Sequence, residues 1–366
     1  MHPLLPHRLL SMLLAAAVLA GCRSEEAPGR GVVEAPAGAP APPWAEPLEA
    51  ATARIDDDMP GDFGVYVRRL GDGAGTLDRV GDRRWYLSST IKVPVAIAVL
   101  ERVDAGELAL DQELVLAGTD YVDGAGDLLL QEPGTRYSVA TLLQKSLQDS
   151  DSTATDMLIR LLGEDALNDR IAAWVGDGFG PVTTILQVRY DAYGALHPGV
   201  AELSNMDLVR LREAGSRDAR LVKLAEALGV ARDELGADSL EEVFDRYYET
   251  GKNAATLEAY ATMLEKLVTG ELLSTQSTRR LLGHMRAITT GERRIQAGLP
   301  AGADFAQKTG TQIDRACNVG VLDPDRGAEG ATVVVACAEG FGEEIGHAER
   351  AFQALGRALA EAGLAT

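Results

Sequence analysis

Apolar positions recur along this chain with two different periods, and the change of period divides it into three stretches. Residues 61–70 alternate apolar and polar as a strand does. Gly71-Asp72-Gly73 then reads as a turn, and residues 76–80 as the returning arm of a hairpin. β-Branched runs come back only near the other end, at residues 305–308, 316–322 and 331–338. Between them the spacing is helical. Residues 92–104 carry the stripe Val93, Ala96, Val99 and Leu100. Further helices are expected at 138–149 (behind the turn Pro133-Gly134), 153–162, 164–175, nearly all of 203–270, 274–287 and a short 292–297. Helical patterns at 48–57 and 344–362 flank the strands. Strands at both ends with helices between predict a discontinuous α/β (α+β) fold. An antiparallel sheet flanked by helices would come from residues 48–88 and 300–366, and an all-helical lobe from 89–299, with a cleft between them.

Composition adds a compartment to this picture. The 366 residues are 46% apolar and 25% charged, ordinary for a globular protein. The formal net charge of −20 repels polyanions, so no nucleic-acid partner and no direct docking on an anionic membrane is expected. His2, His7 and Arg8 precede an apolar run over 9–20 that is too short to span a bilayer, so residues 1–21 read as a signal peptide. That run ends Leu19-Ala20-Gly21-Cys22, which resembles a bacterial lipobox. The resemblance implies cleavage before Cys22 and lipidation of its thiol. Arg23 and Ser24 follow with no acidic retention signal, which points to the outer membrane, facing the periplasm. The Pro- and Ala-rich stretch 22–47 reads as a tether, so the folded body is expected to start near Leu48 as a monomer that meets the membrane through its lipid alone.

Two cysteines remain, Cys317 and Cys337, on either side of a turn-like segment at 323–330. A hairpin closing there sets them nearly opposite each other. An oxidising envelope permits a disulfide, and two buried free thiols are the alternative. His197, His284 and His347 show no zinc spacing, so neither a metal nor another cofactor is expected. Gly73 and Gly75 are hairpin glycines rather than a phosphate loop, because no P-loop Lys follows them.

Three strings carry the chemistry: Ser89-Thr90-Ile91-Lys92, Ser150-Asp151-Ser152 and Lys308-Thr309-Gly310-Thr311. A Ser with a Lys three residues on arises about once by chance in a chain of this length. The three in this order do not. With one change they resemble the S-x-x-K, S-D-N and K-T-G set of serine β-lactamases and penicillin-binding proteins. The likeness extends to Ser150-Asp151-Ser152-Thr153-Ala154-Thr155-Asp156, set beside S-D-N-T-A-A-N, and to Leu267-Val268-Thr269-Gly270-Glu271-Leu272-Leu273. It continues through Leu281-Leu282-Gly283-His284-Met285, Thr289-Thr290-Gly291 and Ala297-Gly298-Leu299-Pro300-Ala301-Gly302. From about residue 48 to the end, the chain is similar to class A β-lactamases.

That resemblance implies a serine hydrolase acting on a small-molecule β-lactam or D-Ala-D-Ala-like substrate through an acyl-enzyme. Ser89 is the implied nucleophile. Lys92, one helical turn on and on the same face, is the base that takes its proton. Ser150 relays the proton to the leaving nitrogen. Lys308 orients Ser150 and attracts the substrate carboxylate, which Thr309 and Thr311 bind. The N–H groups of Ser89 and Thr311 form the oxyanion hole. Gly310 lets substrate approach the strand without a Cβ clash.

Two departures leave a second reading open, a D,D-peptidase, an esterase or a slowly deacylating penicillin-binding protein. Ser152 replaces the Asn of S-D-N and offers a shorter, poorer hydrogen-bonding group to substrate. The Ω-loop Glu that activates the deacylating water is not evident. Counting back from Ser204-Asn205 lands near Asp191, either a water-holding base or a loop cap, with Glu241 and Glu242 as weaker candidates. A third reading, a non-catalytic binding module, has no use for the full set of Ser89, Lys92, Ser150 and Lys308. Residues 215–253 exceed the family interval and are amphipathic, through Leu221, Leu224, Leu228, Leu240, Val243 and Phe244. They read as a packed helical hairpin, or as a lid or partner surface. Arg294 and Arg315 are either a second cation for the site or solvated surface, and Tyr121 either walls the cleft or packs a loop.

Overall fold

The computed structural model describes residues 32–34 and 40–365, so the signal peptide and Cys22 lie outside the described residues. From the N-terminus the elements are β1 (Val32–Glu34), α1 (Ala45–Asp58), β2 (Asp62–Arg69), β3 (Gly75–Arg79), β4 (Arg84–Tyr86), α2 (Lys92–Asp104), β5 (Glu113–Val115) and β6 (Arg136–Ser138). Helices α3 (Val139–Gln148), α4 (Ser152–Leu162), α5 (Glu164–Val175), α6 (Ile185–Gly194), α7 (Asn205–Arg212), α8 (Arg217–Leu228) and α9 (Leu240–Tyr248) follow. The chain ends β7 (Ala254–Thr256), α10 (Leu257–Val268), α11 (Thr275–Arg286), α12 (Ile295–Gly298), β8 (Phe305–Gln312), β9 (Arg315–Leu322), β10 (Thr332–Glu339) and α13 (Ile345–Glu361).

Both ends of the chain build one six-stranded antiparallel sheet, in the order β1-β3-β2-β10-β9-β8. Strand β10 shows why its sequence is apolar at every position. Val334, Ala336 and Ala338 face a core made with α1 and α13, while Val333, Val335 and Cys337 face the helices that follow β4. A strand covered on both faces needs apolar residues on both, so alternation is lost there. Cys317 and Cys337 are directly opposite in the β9–β10 ladder and joined as a disulfide, each 1% exposed. Strand β8 is an edge of the sheet, and that edge carries Lys308 to Thr311 to the site.

Three expectations need correction. The tether is not wholly outside the fold: Val32–Glu34 pairs with β3, Val32 opposite Asp78, and α1 begins at Ala45 rather than Leu48. Trp44 is buried there, and its indole Nε1 donates to Gly73 O at 2.8 Å, which ties the segment to the β2–β3 turn. The stretch 203–270 is broken by β7, which pairs with β4 through Tyr86 opposite Ala254. A three-residue strand whose partner lies far away in sequence has no period to reveal it. Helix α6 also forms where a loop was expected. Thr184 caps it by accepting from Gln187 N, and Val188, Ala192 and Tyr193 are buried.

The extra residues have a core of their own. Leu221, Leu224, Leu240, Val243 and Phe244 pack with Val188 and Tyr193 of α6 and with Tyr86, in a cluster separate from the two faces of the sheet. Among the described residues no helix is long and apolar enough to cross a membrane.

Candidate active site

Ser89 sits in a single 3-10 turn, Ser88–Ile91, between β4 and α2. The turn is held at both ends. Leu87 N donates to Asn253 O at 2.9 Å, and Thr90 Oγ1 donates to Leu87 O at 2.7 Å. The buried Tyr260 hydroxyl donates to Thr90 O at 2.8 Å. These bonds hold Ser88 at φ 48°, a left-handed conformation that costs a side-chain-bearing residue ~1–3 kcal/mol. Ser89 is half-buried, with Ser88 and Thr90 buried on either side. Gly310 of β8 packs against this turn. A Cβ there would lie 2.5 Å from Leu87 O and 2.9 Å from Ser89 N. The absent side chain therefore serves the contact between β8 and the Ser89 turn, a different reason from the substrate clearance expected of it.

Lys92, Ser150 and Lys308 converge. Lys308 Nζ donates to Ser150 Oγ at 2.9 Å, and Lys92 Nζ lies 3.2 Å from the same oxygen. Lys92 Nζ also donates to Ser150 O and lies 3.5 Å from Ser152 Oγ. Ser150 is held at φ 56° in front of α4. Both lysines are fully buried, beneath a cavity of 440 Å³ whose lining includes Ser89, Ser150, Ser152, Thr309, Gly310 and Thr311. Burial pulls Lys92 down to about 7, opposed by Asp151 and Asp156 and aided by Arg189. Lys308 is pushed well below the usual lysine range by burial, then by the neighbouring Lys92 and Arg294, with no carboxylate among the described residues opposing the shift. Two ammoniums sharing one hydroxyl titrate as a pair, and the first proton lost relieves the repulsion on the second.

The rest of the site is built by side chains aimed at backbone. Asp151 caps α4 through Ala154 N at 2.8 Å, and its other oxygen accepts from Asp127 N and Leu128 N. That draws residues 123–128 across the start of the helix. Gly124 is so close that a Cβ would fall 2.1 Å from Ser152 Oγ. A Ser fits under that loop where the family's larger Asn would push it away. Thr309 Oγ1 and Thr290 Oγ1 are 2.8 Å apart. Arg294 is buried, not solvated. It donates to Gly310 O at 2.9 Å, to Cys317 O at 2.8 Å and to Thr311 Oγ1, and burial lowers it to about 10. It positions the K-T-G strand from behind.

Other candidates fall outside this cavity. Asp191 lies on α6 with Oδ2 paired to Lys252 at 2.7 Å and Oδ1 accepting from Gln187 at 2.7 Å, so both oxygens are committed away from Ser89. Glu241 pairs with Arg217, and Glu242 with Arg246. Arg315 pairs with Asp245, Asp314 and Glu339 and stacks on Tyr248. Tyr121 packs its loop, donating to Gln131 O. The wall that Asp191 was expected to furnish presents Ile185, Val188 and Arg189. Asp156 was missed as a site-building residue. Fully buried and raised to about 6 by desolvation, it accepts from Ile185 N at 2.7 Å and Leu186 N at 2.9 Å and so anchors the start of α6. Its departure from the final Asn of S-D-N-T-A-A-N was the available signal. Asp123, paired with Arg189 in the cavity wall, had none.

A hydroxyl on a strained turn, a second hydroxyl between two depressed ammoniums and an edge strand beside them can perform nucleophilic acyl transfer with proton relay. The model for the β-lactamase enzyme family matches residues 47–362. A β-lactamase of Mycobacterium tuberculosis is 26% identical over 261 residues, 71% of this chain and 67% of that protein. Among solved structures, a β-lactamase from Sphaerobacter thermophilus aligns with TM-score 0.63 at 25% identity, covering 87% of this chain and 97% of that one. An L158E mutant of PBP-A, solved as an acyl-enzyme complex with penicillin G, has the same TM-score of 0.63 at 21% identity, covering 87% and 96%. The matched residues begin in α1 and end one residue past the last helix, enclosing every group of the site, and the chain belongs to the β-lactamase enzyme family.

Proposed function

We propose that this protein is a serine hydrolase that opens β-lactams through an acyl-enzyme on Ser89. The observation that carries the reading is the shared hydrogen bonding of Ser150 Oγ by Lys92 and Lys308, directly under the cavity that Ser89 lines. In the free site burial, and then the neighbouring Lys92 and Arg294, oppose the charged form of Lys308. A substrate carboxylate arriving beside Thr309 and Thr311 favours the charged form of Lys308, and the repulsion then favours a neutral Lys92. Neutral Lys92 takes the Ser89 proton as the hydroxyl attacks the lactam carbonyl, and the oxyanion forms against the N–H groups of Ser89 and Thr311. Ser150 passes a proton to the departing nitrogen, Lys92 replenishing it. The test is a chromogenic cephalosporin followed by absorbance and by intact-protein mass. Ring opening with an adduct on Ser89, both lost in Ser89→Ala, supports the reading; an unchanged mass with no ring opening rejects it.

The pH dependence has a definite sign. Lys92 accepts a proton only when neutral, so the acylation rate constant is expected to rise about tenfold per pH unit below about 7 and level off above it. A rate that falls through this range instead assigns the base to another group.

The same reading puts the domain in the cell envelope, anchored by a lipid on Cys22. Its support is the lipobox-like Leu19-Ala20-Gly21-Cys22 and the Pro-rich segment behind it. Mature protein from membranes is expected to begin at an acylated Cys22, and Cys22→Ser to leave it in the soluble fraction. An unmodified N-terminus at another residue removes the anchor.

A further inference from the structure

We propose that the inserted helices complete the cleft with a second anion subsite, selecting β-lactams whose acyl side chain bears a carboxylate; this rests on the β-lactam reading above. The cavity that Ser89 and Ser150 line is also lined by Arg189 from α6, Arg212 from α7, and Arg217 and Arg220 from α8. Among the described residues the one acidic residue in that lining is Asp123. Four guanidiniums against one carboxylate is an inversion in a chain whose net charge is −20.

Internal pairing consumes these cations only in part. Asp123 accepts from Arg189 Nε, and its other oxygen lies 3.9 Å from Arg212. Arg217 is held by Glu241, with Glu343 at 3.7 Å. Arg220 makes no ion pair among the described residues, and its positive charge acts on the neighbouring Tyr193 hydroxyl. Arg220 Nε and Arg189 Nη1 are both buried without an acceptor, and Arg189 is only 7% exposed. A buried guanidinium N–H without a partner is an unfavourable arrangement that an incoming anion relieves. These donors come from α6 and α8, whereas the groups for the lactam's own carboxylate come from β8. The two anion sites are therefore separate, and a substrate with a negative charge at each end satisfies both. Tyr193 and Phe244, also in the lining, give the subsite an aromatic wall for the body of the side chain.

Benzylpenicillin and its α-carboxy analogue differ by this one group. Their second-order acylation constants, read by protein mass, are expected to favour the carboxylated compound at least about tenfold at low salt. The preference is expected to shrink at high ionic strength, to collapse about tenfold in Arg220→Gln and to recover in part in Arg220→Lys. A ratio of the two constants that is the same in wild type and Arg220→Gln overturns the proposal. Ser89→Ala separates the two readings, since calorimetric binding of the intact compounds to it needs no acylation. Tighter binding of the dianion there, lost in Ser89→Ala/Arg220→Gln, supports the subsite even if no adduct forms on wild type, a result that counts against the acyl-enzyme alone. Equal affinity, or none, for both compounds overturns the subsite.

Discussion

Lys92→Met is expected to slow acylation ~10²–10⁴-fold while making the protein harder to unfold. Both effects come from one buried amine. In the proposed mechanism Lys92 accepts the Ser89 proton, and Met has no basic nitrogen. Folding, however, holds an ammonium in a dry site, which pulls its pKa from 10.5 to about 7. That depression is worth ~4–5 kcal/mol against the folded state wherever Lys92 is charged in both states. Met fills a similar volume without charge, but leaves Ser150 O without a donor, a loss of ~1–3 kcal/mol. The net gain is then ~1–4 kcal/mol. Its pH dependence has a fixed sign. The native state binds fewer protons than the unfolded chain between about 7 and 10.5, so wild-type stability rises over that window. The advantage of Lys92→Met is expected to be full below pH 7 and to shrink toward pH 10.5. Denaturant melts at pH 6 and pH 10, with burst-phase acylation of the same samples, measure both. A variant that loses stability at pH 6 removes the account of Lys92 as a strained base.

The acyl-enzyme is expected to accumulate. With a good β-lactam the product burst should approach one equivalent per protein, deacylation following ~10²–10⁴-fold more slowly than acylation. Water that attacks the ester needs a base, and among the described residues on the α6 side of the cavity no carboxylate is free. Asp191 is spent on Lys252 and Gln187, and Asp123 on Arg189 with Arg212 beside it. Asp156 points into backbone N–H groups at the start of α6. Ile185 and Val188 present hydrocarbon where the water would need an acceptor. Rapid-mix mass spectrometry decides this: linear turnover from the first cycle, without adduct, means that Lys92 or another group serves both half-reactions equally well.

The parts of this protein that were legible in its sequence share a property: they depend on residue type at short spacing. The alternation in residues 61–70, the apolar stripe of α2 and the three motifs are local patterns. Ser89, Lys92, Ser150 and Lys308 stand out because those motifs, taken together and in order, resemble the family's set. Asp191 shows the limit, because counting back from Ser204 presumed a loop where the chain forms α6, and a helix turns that carboxylate toward Lys252. The β4–β7 pairing and Val32–Glu34 on β3 were hidden because short strands are made by distant partners. Arg294 looked like surface, and the backbone carbonyls that capture it belong to strands assembled later in the chain.

Residue identity by itself determined which reactions are available here, since a hydroxyl, amines and a Gly-containing strand motif set the chemistry whatever surrounds them. The tertiary structure alone decided how those groups behave. Lys92 is pulled down to about 7 because the fold buries it, and Lys308 is pulled well below the usual lysine range by its burial and then by Lys92 and Arg294 brought beside it. Desolvation and charge–charge distance are properties of surroundings drawn from the whole chain. The same reason turns Arg189 and Arg220, unremarkable as letters, into a cationic wall beside Ser89.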